Sequence, residues 1–422
     1  MSLNRGSRSG RKATTTLRQR WNFPYCAATG ALLAGIAIST LDAAAVTTQA
    51  GGSSGATLTS TYLAIFLTSS AAAVTQAPWI ARRLGARATY AAVLSVGALV
   101  WGLQGILILC GLPPVAILLS GGVLTGASFG LATVLRPLVT KAYMGGQEMA
   151  QALARVSVVT GLSWAAGSLV GGFIMGHINP GWGLIVRTLL AIPIIVYVLR
   201  RPPETEPSVG GATEAGGGRI QLLRQNPALR RCVLFACCIA AFAVPMSSLV
   251  VPIASHLRTS PLIPGAGILS ASISIGNALL SIVVVTRLTR RWDDFQAVTI
   301  AGCLLAAVLV AYAVSSLLIG HRIELVVWSA VGLAFGGLRY GGRSLVVGAV
   351  TATVDDGAAI DAIATLNFCA ALALSLGLFL WGLLIDHWSA EAAILVGAAA
   401  TLATSLAFLR SSARTEPEPS YR

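Results

Sequence analysis

Charged residues are scarce in this sequence. Only 10% of the 422 residues are Asp, Glu, Lys or Arg, and 15 of them are acidic, whereas a soluble domain carries about 25% charged residues. Apolar residues make up 55% of the chain, and its mean hydropathy is +0.78. Such a chain cannot cover itself with a water-compatible surface, which excludes soluble, disordered, collagen-like and small disulfide-stapled classes. A polytopic helical membrane protein remains.

The signatures of enzymes and of nucleotide-driven pumps are also missing. The sequence has no Gly-x-x-x-x-Gly-Lys phosphate loop, no Gly-x-Ser-x-Gly elbow and no His-Glu-x-x-His pair. Its seven cysteines lie within or beside apolar runs and form no Cys-x-x-Cys pair. We therefore expect no enzymatic activity, no disulfide, no bound metal and no cofactor.

Twelve apolar runs, each long enough to cross a bilayer, dominate the chain. Backbone groups find no water partner in lipid, so these runs are expected to be helices. The sequence therefore predicts an all-α membrane protein with twelve transmembrane helices. The predicted spans are 25–48, 58–80, 90–110, 115–135, 153–176, 182–199, 232–254, 266–286, 296–319, 324–347, 360–385 and 390–410.

Lysine and arginine predict the orientation of these helices. They crowd the N-terminal tail and alternate connections, whereas the intervening loops hold only Arg258 and Arg322. Because cytoplasmic loops carry the excess of basic residues, both termini are expected in the cytoplasm. The net charge of +14 then reflects orientation, and we expect no nucleic-acid partner.

A Pro-, Gly- and acid-containing connection divides the predicted helices six and six. Basic clusters at 82–87 and 287–291 recur at an offset of about 208 residues. Two parallel repeats of this kind are expected to bind substrate near the midplane, between the halves. The predicted divisions are a basic tail at 1–21, a six-helix bundle at 22–200, a linker at 201–231, a second bundle at 232–410 and a tail at 411–422.

Three short segments carry a family resemblance. Residues 41–46 read Leu-Asp-Ala-Ala-Ala-Val, residues 78–87 read Pro-Trp-Ile-Ala-Arg-Arg-Leu-Gly-Ala-Arg, and residues 167–172 read Gly-Ser-Leu-Val-Gly-Gly. They resemble signatures of the major facilitator superfamily, and the first and third resemble those of its drug:proton antiporters. Arg82 stands where the family loop has Asp, and Ser168 stands where the antiporter signature has Pro.

The resemblance implies the major facilitator fold and a monomer in the cytoplasmic membrane. It also implies proton-coupled export of small organic molecules, such as drugs or natural products, by alternating access. Two alternatives stay open: an uptake symporter for a polar or anionic metabolite, and a facilitator-like membrane protein that transports nothing. Expected partners are a small-molecule substrate, protons and the bilayer.

Charged residues inside the predicted spans are the first candidates for the mechanism. A charge at a helix centre costs about 2.5–3.5 kcal/mol on insertion scales, so it should face a cavity or a partner. Asp42 is predicted to carry the proton, with a solvated position at the outer interface as the alternative. Arg187 either extends to the outer interface or binds a carboxylate or an anionic substrate. Arg339 either faces the cavity or closes the cytoplasmic side.

Other candidates follow from position. Asp361, at the start of the eleventh span, is expected to cap its helix or to pair with Arg343, and it joins Asp42 as a candidate for proton coupling. The candidates for substrate binding are Gln104, Arg187, Asn277, Arg339 and Asn367. The candidates for gating are Arg83, Gly85, Arg87, Arg136, Gly167, Gly171, Gly172 and Arg343.

Overall fold

A computed structural model of the chain describes residues 22–143, 149–179, 181–202, 223–256, 262–318, 321–354 and 359–413. Within these ranges the regular elements are all helices, as expected where backbone groups must find their partners inside the protein. We call 22–202 the N-terminal half and 223–413 the C-terminal half. The outer end is where the first helix ends, near Gly51, and the inner end is where that helix begins; these names follow the predicted orientation.

The N-terminal half contains seven helices. The first two are joined by a single 3-10 turn at Gly52–Ser54. The helices are α1 (Phe23–Gly51), α2 (Gly55–Val74), α3 (Ala77–Leu84), α4 (Ala86–Leu109), α5 (Pro114–Tyr143), α6 (Met149–His177) and α7 (Trp182–Arg200).

In the described residues of the C-terminal half, eight helices have defined bounds, because its first span is broken into three. The helices are α8 (Pro227–Phe242), α9 (Pro245–Ser248), α10 (Val250–His256), α11 (Leu262–Thr289), α12 (Asp294–Leu318), α13 (His321–Ala352), α14 (Ala359–His387) and α15 (Ala390–Ala413).

Nine stretches of the described residues are long and apolar enough to cross a membrane, fewer than the twelve predicted. Helices α1 and α2 form one continuous apolar stretch, Phe23–Val74. The predicted span 232–254 is interrupted around Pro245. Helix α13 is long enough, but Arg339 and Arg343 lower its hydropathy. Twelve spans with cytoplasmic termini therefore remain a prediction.

The two halves repeat the same contact at their inner ends. Asn22, just before α1, donates its side-chain N–H to the carbonyl oxygen of Tyr143 at 2.6 Å. Asn226, just before α8, donates in the same way to the carbonyl oxygen of Thr353 at 2.6 Å. In each half an asparagine thus ties the start of the first span to the end of the fourth.

A close approach of two helix backbones at a glycine also occurs at matching places in the two halves. A Cβ on Gly167 of α6 would clash with the carbonyl of Ala34 in α1. A Cβ on Gly377 of α14, 210 residues later, would clash with the carbonyl of Ala241 in α8. Small residues of this kind let helix backbones approach closely in a membrane. The partners of these matched contacts lie about 204 to 210 residues apart in the two halves, and the division into two repeats stays a prediction.

The apolar core is shared at the outer end and divided at the inner end. One cluster joins residues of both halves, and two further clusters belong to one half each. The space between the halves therefore lies toward the inner end. Members include Leu41, Leu184, Leu249 and Ile385 in the shared cluster, Tyr25, Leu135 and Val198 in the N-terminal cluster, and Leu229, Leu345 and Phe408 in the C-terminal cluster.

We expect Gly336→Ala to destabilise the packing of α11 against α13, because its Cβ would clash with the carbonyl oxygen of Ile273. Overpacking of this kind costs about 1–3 kcal/mol. The matched control is Gly348→Ala in the same helix, whose Cβ would meet nothing within 4 Å. Thermal unfolding in detergent, followed by tryptophan fluorescence, should show a lower Tm for Gly336→Ala alone. Equal Tm values would contradict the close approach.

Candidate functional site

Two helix pairs make the most extensive contacts between the described residues of the two halves. Helix α6 packs on α11, where Ser168 and Ser270 share a hydrogen bond of 2.9 Å between their hydroxyl oxygens. On the same faces, a Cβ on Gly267 would come within 3.0 Å of the Cα of Gly172. The residue that replaces the antiporter proline, Ser168, therefore makes a polar contact with the other half.

The second pair is α2 with α14, and a carboxylate connects them. Asp386 near the end of α14 accepts hydrogen bonds from the backbone N–H groups of Ala56 at 3.1 Å and Thr57 at 2.7 Å. Ser54, at the N-cap position of α2, makes no side-chain cap. The C-terminal half thus supplies the anionic cap for a helix of the N-terminal half, a favourable position for a negative charge.

Asp42 has the same role within the N-terminal half. It is 2% exposed, and its carboxylate accepts from the backbone N–H of Gly181 at 3.1 Å and lies close to Gly183 in the first turn of α7. Gly181 is the N-cap of α7, has no side chain to offer and adopts φ of 100°, a conformation that suits glycine. The alternative of a solvated Asp42 at the outer interface is therefore wrong. Its predicted role in proton coupling remains untested.

Arg187 of α7 is buried, at 8% exposure. Its guanidinium donates to the hydroxyl of Ser39 at 3.0 Å and lies 4.1 Å from the ring centroid of Trp101. It also lines a cavity of about 50 Å³ between α1, α4, α5 and α7, which Arg136 lines as well. The predicted extension to the outer interface is wrong, because the aromatic ring and the hydroxyl hold this side chain inside the half.

Arg339 lies beside the break in the first span of the C-terminal half. It is half-buried, donates to the hydroxyl of Ser247 at 2.5 Å and lies 4.8 Å from the ring centroid of Tyr340. Ser247 belongs to α9, the single helical turn between α8 and α10. Broken helices at membrane depth are typical of substrate sites in transporters.

Arg343 lies one turn closer to the inner end on the same face. It is exposed, and its guanidinium donates to the side-chain oxygen of Asn367 at 3.1 Å. Arg136 of the N-terminal half is close enough for its charge to act on that of Arg343. The structure therefore brings Arg339, Arg343 and Asn367 to one place, and a fourth predicted residue, Arg136, comes near them from the opposite half.

Gln104 and Asn277 lie elsewhere. Gln104 is 3% exposed and donates to the carbonyl of Ile117 at 2.9 Å, which ties α4 to α5 inside the N-terminal half. Asn277 is half-buried on α11, where its backbone packs closely on Gly336 of α13. The structure thus does not place Gln104 between the halves, and the substrate role of both residues stays a prediction.

The remaining gating candidates fall into two groups. Arg87 donates to the carbonyls of Val198 and Leu199 at 2.8 Å each and so caps the end of α7. Arg83 is exposed and lies 4.2 Å from the ring centroid of Trp79, and Gly85 adopts φ of 80° between α3 and α4. The loop residues therefore contact their own half.

In the other group, Gly167 and Gly171 pack on α1, whereas Gly172 faces the other half. The side chains of Asp361 and Arg82 lie outside the described part of the structure.

Sequence reasoning missed Ser247 and Asp386. Each lies at a helix end and takes its importance from a partner far away in the chain, so no local signal marks either one.

No curated protein matches this sequence. A family model described as Major Facilitator Superfamily matches residues 27–359. The fold is similar to that of the nucleoside transporter NupG, at 12% identity and a TM-score of 0.67 over 90% of this chain and 98% of that one. It is also similar to a D-xylose-proton symporter, at 13% identity and a TM-score of 0.68 over 92% and 97%. The human organic anion transporter MFSD10 has 14% identity and a TM-score of 0.62 over 93% and 99%.

We expect Asp386→Ala to loosen the outer end, because it leaves two donors at the start of α2 without their cap. Loss of such a cap costs about 0.5–2 kcal/mol. Hydrogen exchange measured by mass spectrometry should increase at the amides of residues 55–61.

Asp293→Ala is the matched control. Asp293 caps its own helix by accepting from the backbone N–H of Gln296 at 2.8 Å and does not join the halves. It should raise exchange only at the start of α12. Unchanged exchange at 55–61 in Asp386→Ala would contradict the role of Asp386.

Proposed function

The chain belongs to the major facilitator superfamily, and from this premise we propose that it is a proton-coupled secondary transporter that exports small organic molecules. As a member of this family it is a multi-pass membrane protein with a transport function. Beyond family membership, we propose that transport is coupled to protons, that it runs outward and that the protein lies in the cytoplasmic membrane. Alternating access of a site between the two halves is the mechanism proposed.

The division of the apolar core carries this proposal. One cluster joins the halves at the outer end, and two separate clusters fill them at the inner end. A transporter that exposes its site to one side at a time needs one joined end and one separated end. Asp386 and Ser168 contribute polar contacts to the joined end, and these can open without disturbing the interior of either half.

Proton coupling is proposed for Asp42, with Asp361 as a second candidate. Asp42 is a carboxylate in the apolar interior, held by the backbone N–H of Gly181 at the start of α7. Protonation would replace an anionic cap with a neutral one and so weaken the connection between α1 and α7. Proton binding is thereby linked to the position of α7, which also carries Arg187.

A second candidate function is uptake of a polar or anionic metabolite together with protons. The observation that favours it is the group of arginines between the halves, whose described partners are neutral. The direction of transport separates the two candidates.

Purified protein in liposomes with an imposed pH gradient tests the proposal. We expect a fluorescent organic probe, ethidium or carboxyfluorescein, to cross the membrane in the direction opposite to the flow of protons. A dye that reports internal pH should show that flow of protons. Movement of probe and protons in the same direction would favour the symporter. Absence of any gradient-driven flux would contradict proton-coupled transport of these probes.

We expect Asp42→Asn to abolish proton counterflow while expression and Tm stay close to those of the native chain. The amide keeps an oxygen that accepts from the start of α7 but cannot exchange a proton at physiological pH. Asp42→Ala removes the acceptor and should also lower stability by about 0.5–2 kcal/mol. Both variants are compared in the liposome assay and by thermal unfolding. Full proton coupling in Asp42→Asn would remove Asp42 from the mechanism.

A further inference from the structure

We propose that Arg136, Arg339 and Arg343 form a subsite for the anionic group of the transported molecule, a carboxylate or a phosphate. The proposal rests on the proposed function only in taking the bound anion to be cargo. The three side chains come from both halves and lie on the side where the apolar core is divided.

Arg339 and Arg343 lie well inside the protein, measured from the inner end of α13, and yet neither is fully buried. Arg343 and Arg339 lie 9 and 13 residues before the end of α13 at Ala352, or about 14 and 20 Å along the helix axis. Arg343 is nevertheless exposed and Arg339 half-buried. The bond from Arg343 to Asn367 of α14 and its charge interaction with Arg136 of α5 orient it toward the space between the halves.

The described partners of these arginines carry no charge. Arg339 donates to the Ser247 hydroxyl and lies near the Tyr340 ring, and Arg343 donates to the Asn367 side-chain oxygen. A guanidinium stays protonated in proteins and has five donors in a fork that matches carboxylate and phosphate oxygens. The described hydrogen bonds use one donor of each guanidinium.

Like charges close together in a space lined by apolar helices repel, since the local dielectric is lower than that of water. A bound oxyanion would remove this repulsion and form charge-assisted hydrogen bonds, which are stronger than those between neutral groups. The break at α9 adds to the argument, because irregular backbone at membrane depth is tolerated where it lines a cavity. Ser247 presents this break to Arg339.

Because the arginines of this subsite come from both halves, a bound anion should also change how the halves lie relative to each other. Arg136 belongs to the N-terminal half, whereas Arg339 and Arg343 belong to the C-terminal half. An anion held by both sides replaces repulsion between the halves with attraction. Its binding should therefore draw the inner ends together, which is the step that alternating access requires.

Binding to the purified full chain in lipid nanodiscs tests the subsite. The probes are benzoate and phenyl phosphate, with benzamide as the neutral compound of similar shape, each titrated by calorimetry and by its effect on Tm. We expect both anions to raise Tm and benzamide to have no effect. Equal effects of benzoate, phenyl phosphate and benzamide would overturn the proposal.

Variants locate the binding. Arg339→Gln and Arg343→Gln should each weaken anion binding by about tenfold or more, and Arg339→Lys should bind with intermediate affinity because it keeps the charge but loses the fork. Arg287→Gln is the matched control, since it removes an exposed positive charge in the last turn of α11 and should bind anions as the native chain does. Native affinity in both glutamine variants would overturn the proposal. Arg343→Gln, at an exposed position, keeps the test valid if Arg339→Gln does not fold.

Spin labels at Thr133 and Ser344, exposed positions on α5 and α13, test the closing step. Benzoate should shorten the distance between the labels in the native chain and leave it unchanged in Arg136→Gln. An unchanged distance in the native chain would overturn the closing step.

Failure of this subsite is distinguishable from failure of the transport proposal. Anion binding that depends on the arginines, without any flux in liposomes, would contradict transport. A flux in Arg343→Gln equal to that of the native chain would contradict the subsite.

Discussion

The structure depends on one constraint: inside a bilayer, every backbone N–H and C=O must find its partner within the protein. Helices satisfy most of these groups, but the first donors of each helix need a cap. Two buried or half-buried helix starts, those of α7 and α2, have no cap of their own and use Asp42 and Asp386 from other helices. Scarce carboxylates thus hold helices together, once within a half and once between halves.

Close packing at glycine joins helices both within each half and between the halves. Matched contacts at Gly167 and Gly377 tie each half together internally, and the faces around Gly172 and Gly267 bring the halves together near the outer end. Small side chains interlock little, so two such faces can separate without unpacking a core. The divided apolar core at the inner end and the shared one at the outer end follow from this arrangement.

Acidic and basic side chains inside the protein have different kinds of partner. Carboxylates at Asp42 and Asp386 are satisfied by backbone donors, so they need no cation. The arginines at 339 and 343 are bound through a hydroxyl and an amide, so their charge is not compensated by these partners. This difference, rather than any one residue, is the basis for the anion subsite that we propose between the halves.

The sequence alone determined the class of protein and most of its helices. The scarcity of charge and the apolar runs require helices in a membrane, and spans such as 182–199 and 390–410 correspond closely to α7 and α15. It also named Arg339, Arg343 and Asn367 as candidates, since a charged or polar side chain in a span needs a partner, and their role stays a prediction. Only the tertiary structure decided which partner: Asp42 caps α7, Arg187 turns inward to Trp101, Arg136 approaches Arg343, and Asp386 reaches α2. The physical reason is that periodicity and composition report the surroundings of a residue along its own helix, whereas these contacts join residues 86 to 330 positions apart, at distances set by helix packing.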